Sequence, residues 1–259
     1  WLAIAGARFG VPVLPLVGPA LTLLLTLWAV DLLQGRRERR RRRAIQGLFS
    51  RYVSPAVVEQ LIARADTESV QAEQREASFV FTDIEGFTSL AERLPPARLA
   101  ALLNDYLDGA CQVVFRHGGT VDKFLGDGMM VIFNSPLAQK DHVERAVNCA
   151  LALDDYAQSF RTRQAARGIT LGITRIGVHC GMAQIGSFGS RDRMEFTALG
   201  DAVNVAARVA DANRITGTRL CCTAAVVERA PDPQFESLGE ITLRGRQQTM
   251  VLYTHARAR

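Results

Sequence analysis

The chain has 259 residues, with 31 basic and 26 acidic side chains, a net charge of +5 and 48% apolar residues. At about 100–200 residues per domain this allows one large domain and something smaller, and the apolar share excludes a disordered chain. The charge is local: residues 36–43 read R-R-E-R-R-R-R-R and carry +6, which leaves −1 for the remainder and disfavours a general nucleic-acid surface. The first residue is Trp1, not Met, so the chain reads as a piece of a longer protein.

Residues 11–30 contain no charge, and their length suits one helical crossing of a hydrocarbon core of about 30 Å. Pro12, Pro15 and Pro19 lie in the first half of that run, and Trp28 lies near its far end, where interfacial aromatics concentrate. A buried soluble helix is the alternative. The arginine run follows within a few residues, which places the C-terminal side in the cytoplasm and suits stop-transfer and anionic lipid contact. Residues 1–33 are therefore expected to form the C-terminal end of a module in the cell (inner) membrane. Residues 34–74 are expected to form a basic stop-transfer and helical linker. In it, Ser54-Pro55 opens a helix with a stripe of Val57, Val58, Leu61 and Ile62, and residues 67–76 form a polar loop.

Residues 75–259 read as one α/β (α+β) domain. A short apolar strand over 78–82 ends at Asp83. Pro95-Pro96 opens a helix with apolar residues at helical spacing from Leu99 to Val114, closed by Gly118-Gly119. Strands over 120–125 and 129–133 flank Gly126-Asp127-Gly128, a hairpin signal. A second helix spans 140–167, and a strand spans 169–178. This βαββαβ order is the ferredoxin-like split unit. A strand over 183–187, a helix over 201–213 and strands near 240–244 and 249–254 follow. The five cysteines, Cys111, Cys149, Cys180, Cys221 and Cys222, lack zinc or redox spacing and read as reduced thiols within the fold. Adjacent Cys221 and Cys222 would face opposite ways in a strand.

Asp83 and Asp127 terminate elements that lie side by side in such a sheet, where two carboxylates can converge on hard divalent cations. Taken singly, Asp83 could cap the next helix and Asp127 could be a turn residue. Gly86 lets an anion approach the backbone at a helix start. Asn204 and Arg208 share a helix face, although a lone arginine there is usually a solvated charge.

Four motifs together resemble the class III nucleotidyl cyclases over roughly residues 75–256: F-T-D-I-E-G-F-T from Phe81, K-F-L-G-D-G from Lys123, R-I-G-V-H-C-G from Arg175 and E-F-T-A-L-G-D-A-V-N-V-A-A-R from Glu195. The linker F-S-R-Y-V-S-P from Phe49 resembles the stretch joining membrane helices to the catalytic domain in bacterial members. The resemblance implies cyclisation of a nucleoside triphosphate with release of pyrophosphate. It implies two divalent metal ions, Mg or Mn, on Asp83, Asp127 and the Ile84 carbonyl. It implies phosphate contacts from the backbone N–H groups of Gly86, Phe87 and Thr88 and from Arg175. Asn204 would orient the ribose and Arg208 would stabilise charge on the α-phosphate. A late phosphate-binding cation, usually lysine, falls here on Arg244 or Arg246.

Lys123 only donates, so it suits adenine N1, and Thr197 can accept from the N6 amine; the pair implies ATP. Lys123 without that context would be a solubilising strand-edge lysine. The resemblance also implies a homodimer with sites shared between protomers. One protomer supplies the metal ligands, and its partner supplies Lys123, Thr197, Asn204 and Arg208. The expected function is a membrane-anchored adenylate cyclase in signal transduction, with no nucleic-acid partner. A silent nucleotide-binding module and a diguanylate cyclase are the competing readings, and the latter's G-G-[DE]-E-F hairpin is absent.

Overall fold

The computed structural model describes residues 22–28, 72–190, 194–246 and 248–259. Two compact units divide the chain, residues 1–52 and 53–259. In the first, residues 22–28 form a helix whose Leu23, Leu24, Leu25, Leu27 and Trp28 are exposed. Among the described residues, no helix is long and apolar enough to cross a membrane. The rest of the expected span, the arginine run and the linker up to residue 71 lie outside the described residues.

The second unit is built on an eight-stranded sheet in the order β2-β3-β1-β4-β6-β8-β7, with β5 on β4. Its strands are β1 (Glu73–Ile84), β2 (Thr120–Leu125), β3 (Gly128–Phe133), β4 (Thr174–Gly189), β5 (Met194–Leu199), β6 (Leu220–Thr223), β7 (Phe235–Thr242) and β8 (Thr249–His255). Its helices are α1 (Phe87–Arg93), α2 (Pro96–Arg116), α3 (His142–Ala165), α4 (Asp201–Thr216) and α5 (Ala224–Arg229). The first four neighbours reproduce the ferredoxin-like split unit, as the βαββαβ order implied.

Strand alternation divides the core between the two faces of the sheet. Val80, Val131, Phe133, Ile176 and Val178 pack under α2 and α3. Phe79, Phe81, Met130 and Ile132 point the other way, towards Ala198 of β5 and the alanines of α4. Phe79 and Phe133 are fully buried, each contributing about 1.5–3 kcal/mol of transfer free energy. Cys221 and Cys222 do face opposite sides, and all five thiols are unpaired.

Several expected boundaries change. Residues 73–76 are not loop; they pair with residues 182–185 of β4 and lengthen β1. The strands expected at 169–178 and 183–187 are one strand starting at Thr174, and 169–173 lies outside it. Gly181 does not interrupt it; it faces Ala202 of α4. The strand expected near 240–244 runs instead over Phe235–Thr242. The helix expected to start at Gly86 is α1, whereas sequence periodicity did not reveal β5, β6 or α5, which are all six residues or shorter.

The position of α4 depends on Gly177. A Cβ there would fall on the backbone of Ala206 and Ala210, so the helix lies directly on β4 only because that side chain is missing. Gly177→Ala should therefore cost about 2–3 kcal/mol in urea unfolding, the upper part of the usual range for overpacking. Gly168→Ala, at a left-handed residue with open space around it, should cost about 1 kcal/mol. Equal losses at the two positions would show that α4 can lift away from the sheet freely.

Candidate active site

The first cluster forms where β1 ends. Gly128 opens β3 so close to Thr82 that a Cβ would overlap the Thr82 carbonyl. Met129 N donates to Thr82 Oγ1 (3.1 Å), and Ile84 N donates to Asp127 Oδ2 (2.9 Å). The hairpin tip is thus fastened to the end of β1, and Asp127 sits beside Asp83. Ile84 is buried, and its N–H is used by Asp127. Opposite Asp83 in the β1–β4 register stands Arg175. Its guanidinium is almost wholly buried, pairs closely with Glu85 and lies 3.5 Å from Asp83 Oδ2. Arg214, on the last turn of α4, reaches the same oxygen at 3.9 Å.

Burial, and next the negative charge of Asp127, hold the Asp83 carboxyl above its ordinary value; Arg175 and Arg214 only partly offset this. Two adjacent carboxylates, one of them held against ionisation, are hard oxygen ligands of the kind that suits a divalent cation. Among the described residues no group of three or more His, Cys, Asp and Glu could hold a metal. Past the two carboxylates, Gly86 adopts φ 68° with open space around it and starts α1. Phe87 packs against the buried cluster that includes Leu90, Leu102 and Phe160, which anchors the turn. Gly86 and Thr88 are exposed, and the first N–H groups of a helix lack partners within it.

The second cluster lies on β2, β5 and α4. Lys123 Nζ is 3.6 Å from Asp122 Oδ2 and 3.7 Å from Glu195 Oε2. Thr197 Oγ1 donates to Asp122 Oδ2 at 2.8 Å. Consecutive strand residues normally point to opposite faces, but a bulge between Val121 and Lys123 breaks the alternation. Asn204 is exposed near the start of α4, and Arg208 is half-buried one turn later. Ala207, Arg208, Asp211, Arg244 and Gly245 line an open cleft of about 450 Å³. Arg246 instead holds both carboxylate oxygens of Asp201, at 2.8 and 3.1 Å. Arg244 thus shares the cleft with Arg208, and Arg246 is committed to the start of α4.

Sequence reasoning missed Glu85, Asp122 and Arg214. Glu85 stands two residues after Asp83 and pairs with Arg175, the residue opposite Asp83; a second carboxylate at that spacing was a usable signal. Asp122 gave none, because the bulge that turns it is not written in the residue pattern.

The family model for the adenylate and guanylate cyclase catalytic domain matches residues 70–256. Adenylate cyclase 1 of Rhizobium meliloti is 35% identical over 206 residues, covering 79% of this chain and 31% of that one. This chain therefore spans about a third of that curated relative. The solved adenylyl cyclase CyaB of P. aeruginosa is 31% identical with a TM-score of 0.66, over 71% of this chain and 94% of that one. A solved guanylyl cyclase is 27% identical with a TM-score of 0.64, over 71% and 92%.

The raised Asp83 has a consequence for stability. The folded chain holds this proton more tightly than the unfolded chain, whose carboxyl titrates near 3.8, so stability falls as pH rises through the folded value. At pH 7 Asp83→Asn should therefore melt above the wild type in metal-free buffer. Mg²⁺ or Mn²⁺ should raise the melting temperature of the wild type and leave the variant unmoved. A variant that melts lower, or that gains equally from the cation, would show that Asp83 holds no cation.

Proposed function

We propose, because the chain belongs to the adenylate and guanylate cyclase catalytic-domain family, that it is an adenylate cyclase converting ATP to 3′,5′-cyclic AMP and pyrophosphate. The observation that carries the choice of nucleotide is the meeting of Lys123 and Thr197 at one carboxylate, Asp122. The lysine offers only donors, which suits adenine N1 and leaves guanine N1–H unpaired. The threonine oxygen accepts from the adenine N6 amine.

Asp83, Asp127 and the Ile84 carbonyl would hold two divalent ions, Mg or Mn, whose chemistry is to acidify the ribose 3′-hydroxyl and neutralise the leaving pyrophosphate. The N–H groups of Gly86, Phe87 and Thr88 bind the β- and γ-phosphates at the start of α1. Arg175, held by Glu85, adds fixed positive charge beneath them. Asn204 orients the ribose, Arg208 stabilises charge growing on the α-phosphate, and Arg244 contacts phosphate from the shared cleft. The chain contributes positioning and electrostatics, with no covalent intermediate.

The sites are formed between two copies. Arg214 touches Asp83, whereas Asn204 lies ten residues earlier on the same helix, about 15 Å away at 1.5 Å per residue. One chain thus carries both half-sites but holds them apart. Phe124 and Leu125 beside the hairpin tip, Met182 on β4, and Met194 and Leu199 on β5 are large exposed apolar side chains, which suits burial by a second copy. The uncharged run 11–30 and the arginines after it support attachment to the inner membrane, with this domain in the cytoplasm.

Incubation with ATP or GTP and each metal should give cyclic AMP from ATP; product from GTP alone would sink the adenylate reading. Asp83→Ala, Asp127→Ala and Arg208→Ala homodimers should each be inactive. Mixing Asp83→Ala with Arg208→Ala under free exchange should restore about a quarter of wild-type activity, because half the dimers are mixed and each has one intact site. No recovery despite proven mixed dimers would mean that each site is built within one chain. Lys123→Glu with Thr197→Cys should lower ATP use and raise GTP use, and an unchanged preference would take both residues out of base reading.

A further inference from the structure

Asp122 has no role in the chemistry described so far, yet its side chain is only 1% exposed. It lies in the β2 bulge, and its two neighbours are the two base-reading residues. Burying a carboxylate is costly unless it is paired and hydrogen-bonded, so both contacts stabilise its charge. A carboxylate only accepts, and a threonine hydroxyl has one proton and two lone pairs. With that proton given to Asp122 Oδ2 at 2.8 Å, the remaining capacity of Thr197 Oγ1 is to accept. A free hydroxyl would turn and serve either purine, accepting from an amine at C6 or donating to a carbonyl there. The anchored one serves only the amine.

We infer that Asp122 is a specificity-positioning residue, which fixes the Thr197 hydroxyl as an acceptor so that the site selects a 6-amino purine over a 6-oxo purine. The inference rests on the adenylate cyclase reading above. It adds that discrimination comes from the pair Thr197–Asp122 and not from the threonine alone. Asp122 touches neither substrate nor metal ions; it acts through Thr197 and, at 3.6 Å, by drawing the Lys123 ammonium towards the same place.

The test is kcat/KM for ATP and for GTP in the wild type, Asp122→Asn, Thr197→Ala and the double variant. The asparagine keeps the shape of the side chain, but its amide N–H can donate to Thr197 Oγ1 and release the hydroxyl proton towards the base. The ATP-to-GTP ratio should fall about tenfold, the scale of one hydrogen bond in a discriminating site. In the Thr197→Ala background the same change should move the ratio less than about twofold, since no hydroxyl is left to orient. If the asparagine variant does not fold, Asp122→Ala, which leaves the hydroxyl unanchored, should still lower the ratio. Equal loss for both nucleotides in the single variants would show a structural role only and overturn the inference. So would an equal shift with and without the Thr197 hydroxyl. A wild type that prefers ATP together with either result refutes only this inference, whereas a wild type without cyclic AMP formation refutes the underlying reading and this one with it.

Discussion

The absence of a side chain at Gly128 is the constraint on which the catalytic end of the domain depends. The hairpin can meet β1 only because nothing stands between Gly128 and the Thr82 carbonyl. From that contact follow the Met129–Thr82 bond, the Ile84–Asp127 bond and the nearness of two carboxylates separated by 44 positions in the chain. Gly177 does the same on the other face, letting α4 rest on β4 and bring Arg208 over the cleft with Arg244. Two glycines inside short motifs thus set the position of side chains several residues away from them.

The electrostatics at this end work against folding and in favour of binding. Asp83 is half-buried next to a second carboxylate, and its own proton is the easiest way to relieve that position. Arg175 and Arg214 reduce the repulsion without removing it. A group left unfavourable in the free protein gives an incoming cation more to relieve, which is a common arrangement at functional sites. Arg175 divides its guanidinium between Glu85 and Asp83.

Much of this was legible in the residues. Asp83 at a strand end, Asp127 between two glycines, and the long helices with their apolar periods all fell near their observed places, as did the topology of the split unit. What stayed hidden has identifiable physical causes. The expected strands stop at 178 and resume at 183, whereas Gly181 between them lies within one strand, at a place where α4 comes close. The Leu220–Thr223 strand has four residues, all buried, too few to show a period. The MEFTAL segment could be matched as a motif, but its folding back so that Thr197 meets Asp122 is a tertiary fact. Asp122 was passed over because strand alternation would have turned it away from Lys123, and only the bulge reverses that.

The β2–β3 hairpin carries Lys123 and Asp127 on one short rigid element, locked to β1 at its tip. In a dimer with shared sites these two residues serve different nucleotides: the lysine reads the base in one site, and the aspartate belongs to the other. A displacement of the hairpin caused by the first nucleotide is therefore delivered, through a few residues of strand, to the metal end of the second. In the proposed dimer this hairpin would couple the two sites by a route that needs no separate regulatory domain. Departure from hyperbolic saturation would be the kinetic mark of that coupling.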